Sequence, residues 1–299
     1  MTVAGATVAP GALAPRRLGQ TAIAWIGVSP FFVFALLFLI LPTLFLIVGA
    51  FQDADGNPTL QNLVNLFQPT ILNAYWISIK VSAASAIAGA LIGFFLAWAA
   101  VLGGLPAWIR PTLMTFSGVA SNFAGVPLAF AFLATLGRTG LVTALLIKWF
   151  DFNLYGAGFN LLSFWGLALT YLYFQIPLMV LMLTPALDGL KREWREASAI
   201  LGASTWQYWR MVALPLLWPS LLGATLLLFA NAFGAIATAY ALTGSSLNIV
   251  TILLYAQIRG DVLHDPNLGY ALALGMILIT GLSNGLYIWL RQRSERWLR

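Results

Sequence analysis

The side chains able to do chemistry are concentrated in one stretch of an otherwise apolar chain. Between Asp188 and Ala213 lie three acids, Asp188, Glu193 and Glu196, and four bases, Lys191, Arg192, Arg195 and Arg210. Such a set offers ion pairing and docking. Covalent and metal chemistry lack their reagents. Cysteine is absent, which excludes disulfides, zinc thiolates and cysteine nucleophiles. The single histidine, His264, stands in a polar segment with Asp261 and Asp265; it reads as a loop residue, with a ligand contact as the alternative. One histidine cannot make a two-histidine metal motif, so no metal site is expected. No G-x-x-x-x-G-K-[ST] phosphate loop exists, because no glycine precedes Lys80, Lys148 or Lys191.

The charged stretch has a pattern of its own. Leu190, Trp194, Ala197 and Leu201 recur at helical spacing and predict one apolar helix face. Arg192 and Glu196 form an i,i+4 pair on another face, worth about 0.2–0.5 kcal/mol. Gly202 is placed to end that helix with a left-handed cap. Ser204-x-x-Gln207 is a capping box that opens a second helix, and Pro215 marks the start of an apolar span. The expectation is a helix, a tight turn and a second helix at a membrane face, with Trp206 and Trp209 at the interface.

What must hold this stretch in place is a membrane bundle. The chain has 299 residues, 61% hydrophobic and 8% charged, whereas a soluble domain is about 25% charged. A membrane helix needs about 20 mostly apolar residues. Six segments qualify, approximately 21–50, 81–101, 112–136, 161–187, 214–243 and 268–290, and none as bounded contains Asp, Glu, Lys, Arg or His. Lys80 falls just before the second, where its stem can snorkel. The first run exceeds the 7–15 apolar residues of a signal peptide and lacks a clear cleavage site, so it reads as a retained anchor. The shorter apolar stretches 141–150 and 247–258 are expected as interfacial helices. Gly89, Gly93 and Ala97, and again Gly281 and Gly285, have the four-residue spacing of close helix contacts. Those contacts lie either within one subunit or against a second one.

Charge sets the orientation. With the N-terminus inside, eleven basic residues fall on the inner side: Arg16, Arg17, Arg110, Lys191, Arg192, Arg195, Arg210, Arg291, Arg293, Arg296 and Arg299. Only Arg138, Lys148 and Arg259 fall outside, with Asp53 and Asp55 in the first outer loop. The positive-inside rule then puts both termini in the cytoplasm. The net charge of +6 marks that face and gives no reason to expect nucleic acid.

At this point the chain resembles a known family. Glu196-Ala197-Ser198, three residues, Gly202, nine residues, then Val212-x-Leu214-Pro215 is similar to the E-A-A-x3-G-x9-I-x-L-P signature of type I ABC importer permeases. Ser198 stands for the second Ala and Val212 for Ile, both conservative departures. The loop lies between the fourth and fifth of six spans, as in that family. The resemblance covers about residues 73–290, with the first span as the usual N-terminal addition.

The resemblance implies an all-α permease fold of six transmembrane helices in a bacterial inner membrane. Residues 1–20 are then a flexible cytoplasmic tail, 21–72 the first transmembrane helix and outer loop, 73–290 the permease core with its loop at 188–215, and 291–299 a second tail. It also implies partners: two cytoplasmic ATPase subunits, a similar but different second permease, an outer substrate-binding protein, and membrane lipid. ATP and Mg belong to the ATPases, so this chain is non-catalytic and needs no cofactor. The loop becomes the coupling helix. Glu196 offers an acceptor to the ATPase, Ala197, Ser198 and Gly202 form the signature, and Leu190, Trp194 and Leu201 fill the partner's groove or pack on the bundle. The wording E-A-S-x-x-L-G-A-S is similar to the polyamine, thiamine, ferric-ion and phosphonate branch, above all to the spermidine/putrescine permeases.

Polar residues inside the spans include Asn122, Gln175, Asn231, Tyr240 and Asn284. Each lines a translocation path or makes an interhelical hydrogen bond. The rival reading is an ion-coupled secondary carrier, which ordinarily keeps an ionisable relay in the membrane; the six segments hold none. A non-transport scaffold is a more distant rival.

Overall fold

The computed structural model describes residues 18–259 and 265–295. Most of the first tail, the segment holding Asp261 and His264, and Arg16, Arg17, Arg296 and Arg299 lie outside the described residues. Among the described residues every regular element is helical, and one isolated bridge, Gln52 with Pro58, closes a loop. The first half contains α1 (Leu18–Ala35), a π-helical turn (Leu36–Ile40), α2 (Leu41–Ala50), α3 (Gln61–Asn65), α4 (Pro69–Leu102), α5 (Ile109–Ala120), α6 (Val126–Leu136) and α7 (Leu141–Phe150). Then follow α8 (Phe164–Asp188), α9 (Arg192–Ile200), α10 (Thr205–Tyr208), a π-helical turn (Trp209–Ala213), α11 (Leu214–Phe233), α12 (Ile236–Thr243), α13 (Val250–Arg259) and α14 (Pro266–Glu295).

Six stretches are long and apolar enough to cross a membrane: Trp25–Ala50, Pro69–Leu102, Val126–Phe150, Phe164–Asp188, Thr205–Phe233 and Pro266–Trp289. Their positions against the core differ sharply. α8 is the central post, its most apolar stretch 61% buried, whereas the corresponding stretch of Trp25–Ala50 has no buried residue, and only Gly49 and Ala50 at its end are buried. α8 lies along α4 because α4 presents almost no side chain there. A Cβ on Gly93 would stand 2.6 Å from the Met179 Cβ, and one on Gly89 would stand 2.9 Å from the Gln175 Cβ. Small residues let two backbones approach where lipid supplies no hydrophobic drive. This assigns Gly89, Gly93 and the fully buried Ala97 to packing within the chain. Gly281 and Gly285 have open space around them. α14 is tied on by the Tyr75 hydroxyl, which donates to the Leu272 carbonyl at 2.5 Å.

Several expected bounds shift. α4 has 34 residues, about 51 Å at about 1.5 Å per residue, well beyond a hydrocarbon core of about 30 Å. Lys80 therefore sits inside that helix rather than ahead of it, its Nζ 4.8 Å from the Trp76 ring. The expected third span is two helices, interrupted at 121–125, where Gly125 adopts φ +77°. The expected fifth span is also interrupted. Ala235 takes φ −77°, ψ 73°, and the Ile236 N–H donates to Gly234 O at 2.8 Å, an inverse γ-turn. Conversely, the second loop helix and the fifth span run as one stretch, Thr205–Phe233. Pro215 does not interrupt it, because the residue four before it, Met211, lies in the wider π turn. The same device places Phe38, four before Pro42, in the other π turn. Such a turn absorbs the missing N–H and the ring clash of proline. The short helix expected near 247–258 is α13, whereas α7, expected as an interfacial helix, belongs to the membrane-long stretch Val126–Phe150, so the third span begins at Val126 and takes in α7. Residues 291–295, expected as tail, continue α14.

Candidate functional site

The charged loop is built by local rules. α8 ends at Asp188, whose carboxylate accepts from Arg110 just inside α5 at 2.6 Å. That pair fixes the place where the chain turns out of the bundle. Sequence reasoning missed it, although Arg110 is an isolated charge at the start of an apolar span and Asp188 closes another. α9 then runs from Arg192, with the expected Arg192–Glu196 pair at 2.9 Å. Its end is a Schellman motif. The Gly202 N–H donates to Ala199 O at 3.0 Å, the Ala203 N–H donates to Ser198 O at 2.9 Å, and Gly202 has φ +77°. Two residues later the Ser204 hydroxyl accepts from the Gln207 N–H at 3.2 Å, while the Gln207 side chain accepts from the Ser204 N–H at 2.7 Å. The loop therefore reverses between two capped ends with little freedom.

The expected apolar face is divided by this geometry. Leu190 precedes α9 and packs against the buried cluster around Leu187 and Leu217. Trp194 is 37% exposed, with the Lys191 Nζ 5.9 Å from its ring. Ala197 is exposed. Leu201 is 86% exposed and sits at the turn with Ile200, 87% exposed. The single stripe fails because Leu190 and Leu201 flank the helix, so their directions are set by the turns. Ile200 is the residue sequence reading overlooked. An isoleucine two positions before a cap glycine was the available signal. Ser198 folds its hydroxyl back onto Arg195 O at 2.8 Å, and Glu196 keeps one face toward solvent despite its pair. Trp206 is exposed, and Trp209 meets Trp98 edge to face at 6.1 Å.

The polar span residues separate into two groups. Gln175 is fully buried in the α4–α8 seam; its Nε2 donates to the Ser85 Oγ at 2.8 Å, and its Oε1 has no partner. This places it in an interhelical bond, away from any open surface of the chain. Asn122, Asn231 and Tyr240 are exposed and flank the two helix breaks. Asn122 lies within the first break and donates to Gly118 O at 2.8 Å. Asn231 is three residues ahead of Gly234, and Tyr240 in α12 lies 5.2 Å from the Tyr255 ring. The breaks themselves adjoin. The Gly125 N–H donates to the Thr238 Oγ1 at 2.7 Å, and the Tyr171 hydroxyl donates to Ala235 O at 3.0 Å. Those bonds satisfy backbone groups that a break would otherwise leave bare in a membrane. Among the described residues no cluster of His, Cys, Asp or Glu could hold a metal ion.

Comparisons with known proteins show the family and the fold. The model of the family described as "Binding-protein-dependent transport system inner membrane component" matches residues 141–299. The spermidine/putrescine transport system permease protein PotB of Haemophilus influenzae is 26% identical over 266 residues, 86% of this chain and 90% of that protein. The sulfate transport system permease protein CysW of Escherichia coli K12 is 26% identical over 229 residues, 76% of this chain and 70% of that one. A chain in the crystal structure of a bacterial ABC transporter for the acidic polysaccharide alginate superposes with a TM-score of 0.71. It is 16% identical, and the match covers 93% of this chain and 97% of that one.

Proposed function

We propose, from the premise that this chain belongs to the family of binding-protein-dependent transport system inner membrane components, a specific route by which it works. The chain is the permease component of an ABC importer, a non-catalytic, multi-pass membrane subunit. In our reading the loop 188–215 couples it to a separate ATPase that binds ATP and Mg. The observation carrying this is the rigid reversal at Gly202, which holds Ile200 and Leu201 uncovered at the tip while Leu190 anchors the other end in the bundle. Two apolar side chains held out between capped helix ends suit an apolar groove on a partner. Glu196 adds an acceptor beside them. The assembly would hold two ATPases, a second and similar permease, and an outer binding protein, with both termini of this chain in the cytoplasm. A cysteine replacing Leu201 should crosslink to the ATPase in membranes, whereas one replacing Asp55 should not. Crosslinking from Asp55 alone would overturn the assignment.

The path is proposed to run past the two helix breaks, along Asn122, Asn231 and Tyr240. Gln175 is withdrawn from this set on account of its burial. The substrate is proposed to be a polyamine, on the strength of the E-A-S-x-x-L-G-A-S wording and the similarity to PotB. An oxyanion is the competing substrate, supported by the similarity to CysW. Uptake of labelled spermidine and sulfate by the reconstituted complex decides between them. Transport of sulfate without spermidine would reject the polyamine reading.

A further inference from the structure

We propose that the surface between the end of α4, the inner side of α9 and the start of α11 is a binding site for one anionic phospholipid. Two adjoining hollows form it. One is an open cavity of about 670 Å³ that includes Val101, Leu190, Lys191, Arg195, Thr205 and Tyr208. The other is a groove of about 460 Å³ lined by apolar and aromatic side chains alone, among them Leu91, Phe94, Phe95, Trp206, Trp218 and Leu221. Trp98 and Trp209 line both, and their edge-to-face pair is the wall between them.

The charge of the first hollow is unbalanced. Arg192 is held by Glu196, the only acid among the described residues of the cavity wall. Arg195, and Lys191 whose Nζ lies 5.9 Å from the Trp194 ring, have no ion pair among the described residues. Two cationic residues therefore line the cavity without a paired anion, and a phosphate-bearing headgroup supplies one. The second hollow asks for hydrocarbon. It stretches from Trp98 back to Leu91 on α4, about 10 Å, and from Trp209 to Leu221 on the adjoining helix, about 18 Å. Half of a bilayer's hydrocarbon core is about 15 Å, so the groove has the depth of one acyl chain in the leaflet on this side. Trp206 and Trp218 on its rim are 69% and 54% exposed.

Other ligands fit less well. A soluble anion would balance Lys191 and Arg195 but leave the tryptophan groove bare. A zwitterionic lipid would bring a quaternary ammonium toward two cations. Basic pockets beside membrane helices are a recognised setting for anionic headgroups. The lipid would lie on the side of α9 that carries Arg195 and the Arg192–Glu196 pair, leaving the tip at Ile200 and Leu201 uncovered. The proposal stands on the two hollows and holds whether or not α9 meets an ATPase.

The test uses the full chain, with any co-purifying subunits, in mild detergent. Phosphatidylglycerol and phosphatidylcholine are added separately, and retained lipid is counted by native mass spectrometry. One phosphatidylglycerol should survive activation that strips phosphatidylcholine. Lys191→Gln with Arg195→Gln should lower its retention about tenfold or more, because basic residues contribute most of the attraction to an anionic surface. Trp206→Ala, at an exposed position, should lower it through the acyl chain. Both variants are checked for an unchanged size-exclusion profile. Equal retention of the two lipids, no loss in the charge variant, displacement by inorganic phosphate, or displacement by an assembled ATPase would each overturn the proposal.

Discussion

The α4–α8 seam and the loop at 189–204 both depend on glycine, for opposite reasons. At Gly93 the backbone is ordinary helix and there is no room: an added Cβ would meet the Met179 Cβ at 2.6 Å and the Ile176 carbonyl at 2.9 Å. At Gly202 there is ample room, with nothing within 4 Å, but φ is +77°. The first glycine fixes how closely two spans approach. The second fixes the direction of a reversal that presents two uncovered apolar side chains. Damage to the seam should therefore appear as lost protein, and damage to the loop as lost work by intact protein.

Gly93→Leu should have the largest effect. Overpacking typically costs about 1–3 kcal/mol and sometimes more, and here both obstacles, a backbone carbonyl and a Cβ, cannot swing aside. Folded chain recovered by size-exclusion chromatography should fall to near background. Normal recovery would show that the seam can open, and the contrast between the two glycines would lose its basis.

Gly202 is probed by a pair of variants. Valine in a left-handed conformation costs about 1–2 kcal/mol, whereas asparagine visits it readily. Gly202→Val should leave membrane abundance within about twofold, since the site lies outside the spans, and lower uptake about tenfold or more, the equivalent of 1.4 kcal/mol. Gly202→Asn separates two contributions. Retained uptake means the backbone angle is what matters, and uptake lost with the angle preserved means a partner surface comes too close for any side chain. Full uptake with both variants would remove the loop from the mechanism.

The two regions also differ in how much of them the sequence discloses. The turn of the loop was readable to the residue, because caps are local: Ser204, Gln207 and Gly202 act over a few positions, and the folded chain makes the bonds they promise. The spans were readable in number, because length and apolarity suffice. Their bounds were not. Hydropathy sees Thr112 to Leu136 as one apolar run, but Gly125 takes a left-handed angle and its N–H is satisfied by Thr238, more than a hundred residues away. Nothing near Gly125 in sequence reveals that partner. The burial of Gln175 was equally hidden, since its partner Ser85 is on another helix. The exposure of Ile200 depends on a turn whose direction only the Schellman bonds define.

A smaller effect is expected from Gln175→Met. The change removes one bond to Ser85 and also one buried carbonyl oxygen that has no partner. Interhelical hydrogen bonds in membranes average about 0.6 kcal/mol, and an unsatisfied buried polar group costs about 1–3 kcal/mol. The two contributions oppose each other, so thermal stability should stay the same or rise slightly, and uptake should be unchanged. A normal melting profile with uptake abolished would return Gln175 to the translocation path.

The smallest expected effect lies in the loop at 51–59, which holds another positive-φ glycine and so tests whether Gly202 matters for its angle or for its place. Gly56 has φ +83° and nothing within 4 Å of a would-be Cβ, as at Gly202, but it carries no uncovered apolar tip. The loop is held by Asp53, whose carboxylate accepts the Asn57 N–H at 2.8 Å and the Asp55 N–H at 3.0 Å. The Asn57 backbone N–H is the largest cause holding this carboxyl below its ordinary range; slight desolvation opposes it. A carboxyl depressed in the folded state stabilises above its unfolded pKa, and that contribution is lost as pH falls through the folded value. Hydrogen exchange at the Asn57 amide should thus be slower in the native chain than in Asp53→Ala at neutral pH. The difference should close as the solution is acidified through the depressed range, with each pH compared between the two proteins so that the intrinsic exchange rate cancels. Gly56→Val, which strains the same left-handed angle, should leave uptake untouched. Loss of uptake from Gly56→Val would mean that a left-handed glycine is needed wherever the chain turns, and the special standing of Gly202 would be gone.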